Sequence, residues 1–249
     1  MSGHSKWSTI RHKKAVVDAR RGKLFTKLIR ELTSAAKAGG GDTDVNPRLR
    51  TAISAAKNAN MPADTIQRAI KKGTGELPGE EYEEVIYEGY GAGGVAILVD
   101  ALTDNRNRTV AEIRHLFNKH GGNLGENGCV AWMFERVGLI NVDVDQICED
   151  DVLEIVLESG GDDVKIEDDV YEIRAVPEAF EDVRTALENR GLTLGVAEIT
   201  MLPQSTVQAE GKQAEQVIRL MEALDDHDDV RKAYANFDIP DAVLAELIS

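Results

Sequence analysis

Apolar residues recur along this chain with two periods, and the change from one to the other divides it. From Lys23 to Lys37 the period is helical. At about 100° per residue, Leu24, Phe25, Leu28, Ile29, Leu32 and Ala36 fall within one arc of roughly 140°. Arg20, Lys23, Lys27, Arg30 and Lys37 fall within an opposite arc of about 100°. Glycines after Lys37 end this helix. Asn46 before Pro47 is an N-cap followed by the residue best suited to a first helical position, so a second helix should run to Asn58–Asn60. Its Ala52, Ala55, Ala56 and Ala59 predict close helix packing. A third helix follows Pro62, places Ile66, Ala69 and Ile70 on one face, and stops at Gly73. Residues 1–75 therefore predict a small helical bundle behind a basic leader.

The period changes after the linker "GTGELPGEEYEE". "EVIYEGYGAGGVAILVDAL" alternates and predicts two strands joined by a glycine turn. Gly89, Gly91 and Gly94 spell GxGxxG, but a strand follows where a dinucleotide site needs a helix, so no cofactor is expected. "LTDNRNRTVAEIRHLFNKHGG" predicts a helix with a capping box at Thr109 and Glu112. Residues 136–203 then read strand, helix, hairpin across Asp168-Asp169, helix, strand. That βαββαβ order is ferredoxin-like. A helix, the strand "VRKAYANFDI" and a short last helix complete the chain. The expected fold is α+β: an N-terminal helical bundle plus two α/β domains. The ferredoxin-like domain, 136–203, is inserted into a discontinuous one made of 80–135 and 204–249.

Charge changes this picture more than composition does. The chain has 249 residues, is 42% hydrophobic and carries a formal charge of −15. Residues 1–72 hold 16 Lys/Arg and 5 Asp/Glu, a net of +11; the remaining 13 and 39 give −26, and the two sum to −15. A basic arm on an acidic body points to a polyanionic partner. Few carboxylates interrupt the stripe on the first helix, so pairs four apart within that helix cannot account for it. In the leader, Trp7 stands among Lys6, Arg11, His12, Lys13 and Lys14. An aromatic flanked by cations suits a base stacked on the ring with phosphates on the cations; it also suits a core anchor. Arg20 and Arg21 continue the charge towards Lys23, Lys27 and Arg30. A second patch, with Arg106, Arg108 and Arg114, either pairs with nearby carboxylates or extends the nucleic-acid surface.

Catalytic motifs are missing. There is no GxSxG, Walker A loop, HExxH or CxxC. His115 and His120 are five apart, which misses the zinc spacing, and Cys129 and Cys148 suit two reduced thiols. Glu149-Asp150-Asp151 and Asp225-Asp226 read as solubilising helix ends. No apolar run reaches the roughly 18–20 residues that span a bilayer, and no secretory signal is recognisable. The expectation is a cytoplasmic, non-enzymatic monomer without metal, cofactor or membrane partner.

"GHSKW", "RHKKA", "RRGKLFTKLIREL", "AAKAGGGD", "NPRLR", "NMP", "IYEGYGAGG", "DNRNRTVAEIRH" and "GGNLG" resemble the YebC/PmpR family, densely from residue 3 to about residue 138. That family includes the mitochondrial translational activator of cytochrome oxidase subunit one. The resemblance implies three domains, one helical and two α/β, and no catalytic residues. It also implies one of two roles: a DNA-binding transcriptional regulator acting at promoters, or a translation factor meeting ribosomal RNA or tRNA on ribosomes, including stalled ones. The chain shows no helix-turn-helix with a clear recognition helix. Backbone and shape recognition of structured RNA therefore fits at least as well as DNA reading. A small-molecule sensor built on the ferredoxin-like part is a third reading.

Overall fold

The computed structural model describes residues 18–167 and 169–238. The last predicted helix and Asp168 lie outside the described residues. Three helices come first: α1 (Asp18–Gly39), α2 (Pro47–Asn58) and α3 (Ala63–Gly73). The apolar arc of α1 forms their core, with Leu32 and Ala36 against Leu49, Ala52, Ala56, Ile66 and Ile70. Asn46 ties the α1–α2 corner. Its Oδ1 accepts the Leu49 N–H at 3.0 Å, and its Nδ2 donates to the carbonyls of Ala35 and Gly40, both at 2.8 Å. Gly73 lets α3 close on α1, because a Cβ there would lie 2.3 Å from the Thr33 carbonyl oxygen.

The first sheet has the order β3-β1-β2-β9, with antiparallel neighbours: β1 (Glu83–Tyr90), β2 (Ala96–Thr103), β3 (Asn123–Leu124) and β9 (Val230–Ala235). The β1–β2 turn needs positive φ at Gly93 and Gly94, so the last glycine of the GxGxxG string serves the turn without a cofactor. Alternation sends Val85, Tyr87, Ile97, Val99 and Ala101 to one face. There α4 (Arg106–Lys119) and α7 (Gly211–Asp225) cover them with Ile113, Phe117, Val217 and Met221. The expected capping box is not what starts α4. Asn105 caps it, its Oδ1 accepting the Arg108 N–H at 3.1 Å, and Thr109 turns inward instead.

The second sheet has the order β5-β6-β4-β7, built from β4 (Phe134–Asp143), β5 (Asp163–Glu167), β6 (Val170–Ala175) and β7 (Leu194–Pro203). All neighbours are antiparallel, and α5 (Glu149–Glu158) and α6 (Phe180–Asn189) pack on one face. This is the ferredoxin-like βαββαβ arrangement. The chain leaves the first sheet after β3 and returns to it at β9. The predicted strand "VRKAYANFDI" is broken at Asn236. The side chain of this buried residue accepts the Ala96 N–H at 2.7 Å and donates to the Ser205 carbonyl at 3.2 Å. Beyond it β10 (Phe237–Asp238) pairs in parallel with β8 (Val207–Gln208).

Candidate nucleic-acid interface

Leucines and alanines turn one side of α1 into the bundle, so the cations of the other side face the first sheet. Lys23 Nζ donates to the Asp226 carbonyl at 3.1 Å, and Lys27 Nζ to the Asp225 carbonyl at 2.5 Å. Arg30 donates to the Asp228 carbonyl at 2.8 Å and to the Asp229 carboxylate. Its guanidinium also lies 5.6 Å from the centroid of the Tyr82 ring. The three cations stand at i, i+4 and i+7, one row along the helix. The stripe that has too few carboxylates within its own helix is thus seated on the acidic turn between α7 and β9. Its balancing oxygens lie 198 to 203 residues away in the chain, beyond any search within the helix.

Asp229 is the centre of this seat. It is buried, with 3% of its side chain exposed. Besides Arg30 it receives Arg108 Nη2 at 2.7 Å, the Thr109 hydroxyl at 2.5 Å and the Thr103 hydroxyl at 3.3 Å. The sheet holds it in place, because its carbonyl accepts the Leu102 N–H at 2.7 Å. Burial alone would raise its pKa. The Thr109, Arg108 and Arg30 hydrogen bonds outweigh burial and hold it at about 2. Asp229, followed by Asp104, in turn raises the pKa of Arg108.

A second group of ions crosses the same junction. Arg231 of β9 reaches both carboxylate oxygens of Asp100 at 2.7 and 2.8 Å, Glu31 of α1 at 3.0 Å and Glu84 of β1 at 3.4 Å. Arg48 of α2 reaches Glu31 at 2.7 Å and Glu84 at 2.5 Å. Two guanidiniums thus serve three carboxylates. Burial, with Glu84 and Glu31 nearby, raises the pKa of Asp100 against the pull of Arg231. Glu31 is lowered, because Arg48 and Arg231 together outweigh its burial.

Between α1, α4 and the 225–229 turn lies an open cleft of about 740 Å³, lined by Lys23, Arg30, Arg108, Glu112, His115 and His227. Glu112, His227 and Asp229 bring one donor atom each within 4.8 Å of one another. Their chemistry does not fit a metal. The Asp229 oxygens are already taken by two guanidiniums and two hydroxyls, so a cation would sit against Arg30 and Arg108. His227 Nδ1 accepts the Asp229 N–H at 3.1 Å, which leaves Nε2 to donate to Glu112 at 3.0 Å.

Of the residues expected to meet nucleic acid, Lys6, Trp7, Arg11, His12, Lys13 and Lys14 lie outside the described residues, as do the side chains of Arg20 and Arg21. Arg108 took the first of its two alternatives and pairs with Asp104 and Asp229. Arg106 and Arg114 are exposed and form no ion pair with a described residue. Eight residues apart on α4, they lie within about 80° of each other and roughly 12 Å apart along its axis. Lys23 joins α4 residues in lining the cleft, so the leader enters α1 within about two turns of it. What sequence reasoning missed is the acidic turn. Asp225-Asp226 read as a solubilising helix end, and Asp228 and Asp229 carried no reading. The signal available was their complementarity to the α1 stripe.

Known proteins share this architecture. A family model described as the TACO1/YebC protein N-terminal domain matches residues 5–76, and one described as the TACO1/YebC second and third domain matches residues 82–237. The chain belongs to the TACO1/YebC family. A probable transcriptional regulatory protein of Syntrophobacter fumaroxidans is 60% identical over 245 residues, covering 98% of each chain. One from Geobacter sulfurreducens is 58% identical over the whole of both chains. The crystal structure of a conserved hypothetical protein from Aquifex aeolicus superposes with a TM-score of 0.81 at 54% identity, covering 93% of this chain and 96% of that one. Among the described residues, no helix of this family member is long and apolar enough to cross a membrane.

Proposed function

We propose that this chain is a cytoplasmic, non-enzymatic, nucleic-acid-binding regulator of gene expression that meets RNA on the ribosome through its basic N-terminus. The observation that carries this reading is the division of charge, +11 over residues 1–72 against −26 over the rest. Its support in the fold is positional. The leader joins α1 beside the cleft that α4 lines, and Arg106 and Arg114 stand exposed on that helix. Lys6, Arg11, Lys13 and Lys14 bind phosphates in this reading, and Trp7 stacks on a base. The α4 face that carries Ile113 and Phe117 is buried against the first sheet, which leaves the opposite face, with Arg106 and Arg114, for phosphate contacts.

Co-sedimentation with ribosomes at low salt, weakening steeply as salt rises, is the expected result. Replacing Lys6, Arg11, Lys13 and Lys14 together by Glu should abolish it. Unchanged sedimentation of that variant would remove the leader from the mechanism. The names of the relatives favour a second reading, a transcriptional regulator using the same cations on DNA. A footprint on one promoter that survives a large excess of random DNA would decide for it.

A further inference from the structure

The cation row of α1 is well made for phosphate, yet it is occupied by the protein itself. Lys23, Lys27 and Arg30 spend their donors on three backbone carbonyls and one carboxylate. Those are oxygen acceptors, the same class a phosphodiester strand offers, with less negative charge among them. We propose that this face is a second nucleic-acid docking surface, taken by a phosphate strand in exchange for the 225–229 turn. The inference rests on the nucleic-acid reading above and adds to it where the strand goes and what it displaces.

Three features of the seam favour exchange over permanent packing. Its contacts are polar. Among the described residues, the apolar cluster of the N-terminal helices contains no residue of either sheet. Further links across it include the ion pairs of Arg48 with Glu84 and Arg231 with Glu31, and a hydrogen bond from the Ser34 hydroxyl to Glu84 at 3.5 Å. The only covalent tie is the segment 74–82, in which residues 74–81 are all exposed, so the helices can swing without unfolding. The body also keeps its own order when α1 leaves. Asp229 retains Arg108 and Thr109, and Arg231 retains Asp100. The leader enters α1 at the Lys23 end of this row, so a strand gripped by the leader arrives where exchange would begin.

The test measures position and affinity together on the full chain. Spin labels are placed on Arg68→Cys in α3 and Lys212→Cys in α7, with Cys129 and Cys148 changed to Ser. A 20-nucleotide oligouridine is then titrated in. Exchange predicts that a second, longer inter-label distance grows with bound RNA and disappears on adding salt. It further predicts that Asp229→Asn, which weakens the seat, binds the RNA at least roughly fivefold more tightly, the low end of coupled equilibria. RNA that binds with the distance unchanged overturns exchange and leaves the nucleic-acid reading intact. Oligouridine that does not bind at all overturns exchange, and ribosome co-sedimentation then decides the nucleic-acid reading by itself. Should Asp229→Asn fail to fold, the distance measurement on chains retaining Asp229 still decides.

Discussion

Two seams hold the outer parts of this molecule to the first sheet, one mainly apolar and one mainly charged. Where the second sheet meets it, Ala96, Leu98 and Tyr234 pack against Val130 and Phe134, flanked by Tyr90, Met133 and Met201. Where the N-terminal helices meet it, lysines and arginines face aspartates, glutamates and carbonyls. Apolar side chains have no better partner in water than each other, so the first seam, apart from the Lys232–Glu198 ion pair at 2.6 Å, has nothing to exchange with. Every cation of the second could be satisfied as well by an oxygen on another molecule. A charged seam is worth modest energy and is screened by salt. The contrast separates a permanent joint from a releasable one, and the releasable joint is built from the residues that the sequence marks for nucleic acid.

The largest effect should come from the apolar seam. Phe134→Ala is expected to cost about 3–5 kcal/mol, the usual penalty for emptying a buried aromatic site. Urea denaturation should show the same loss at low and high salt. Asp229→Asn is expected to cost less, about 2 kcal/mol, because it leaves two partly solvated guanidiniums without their carboxylate. That loss should shrink as salt rises. If the Asn variant lost more than the Ala variant, or if salt had no bearing on it, the two seams would not differ as argued.

Acid sharpens the same comparison. The folded pKa of Asp229, about 2, lies below that of an unfolded aspartate, about 3.9. The unfolded chain therefore binds more protons at this position between those values. The stabilisation is fully present above about pH 4 and is lost as pH falls through 2. Denaturation curves for the wild type and Asp229→Asn should converge over that window. Phe134→Ala should stay offset from the wild type throughout it.

Much of this fold was legible because local signals agreed with packing. The α1 arc, the Asn46-Pro47 start, the glycine turn and the βαββαβ order all follow from residues close in sequence. What failed was long-range. The α4 start looked like a Thr109 capping box because Thr109 and Glu112 have the right spacing. In the fold Asn105 takes the cap, and Thr109 is drawn inward by Asp229, 120 residues on. The last strand looked continuous because nothing nearby marks Asn236 as a residue buried for its side-chain bonds to Ala96 and Ser205. The candidate site was half legible for the same reason. Positive charge is visible in composition, but whether a cation is exposed or already paired depends on which carboxylates the topology brings to it.

Arg106 and Arg114 are where that distinction has its smallest effect on stability and its clearest readout. Both are exposed and neither pairs with a described residue, so changing them together to Gln should alter stability by no more than about 0.5 kcal/mol. Neither seam loses a contact. If both meet phosphates, their loss flattens the salt dependence of binding to single-stranded RNA by about 1.4 in the log–log slope, at roughly 0.7 per contact. Arg108→Gln, in the first turn of the same helix, should behave differently. It removes a partner of Asp229 inside the body, so it destabilises the molecule before it touches any nucleic acid. Equal behaviour of the three arginines would mean that pairing inside the molecule does not decide which cations are available outside it.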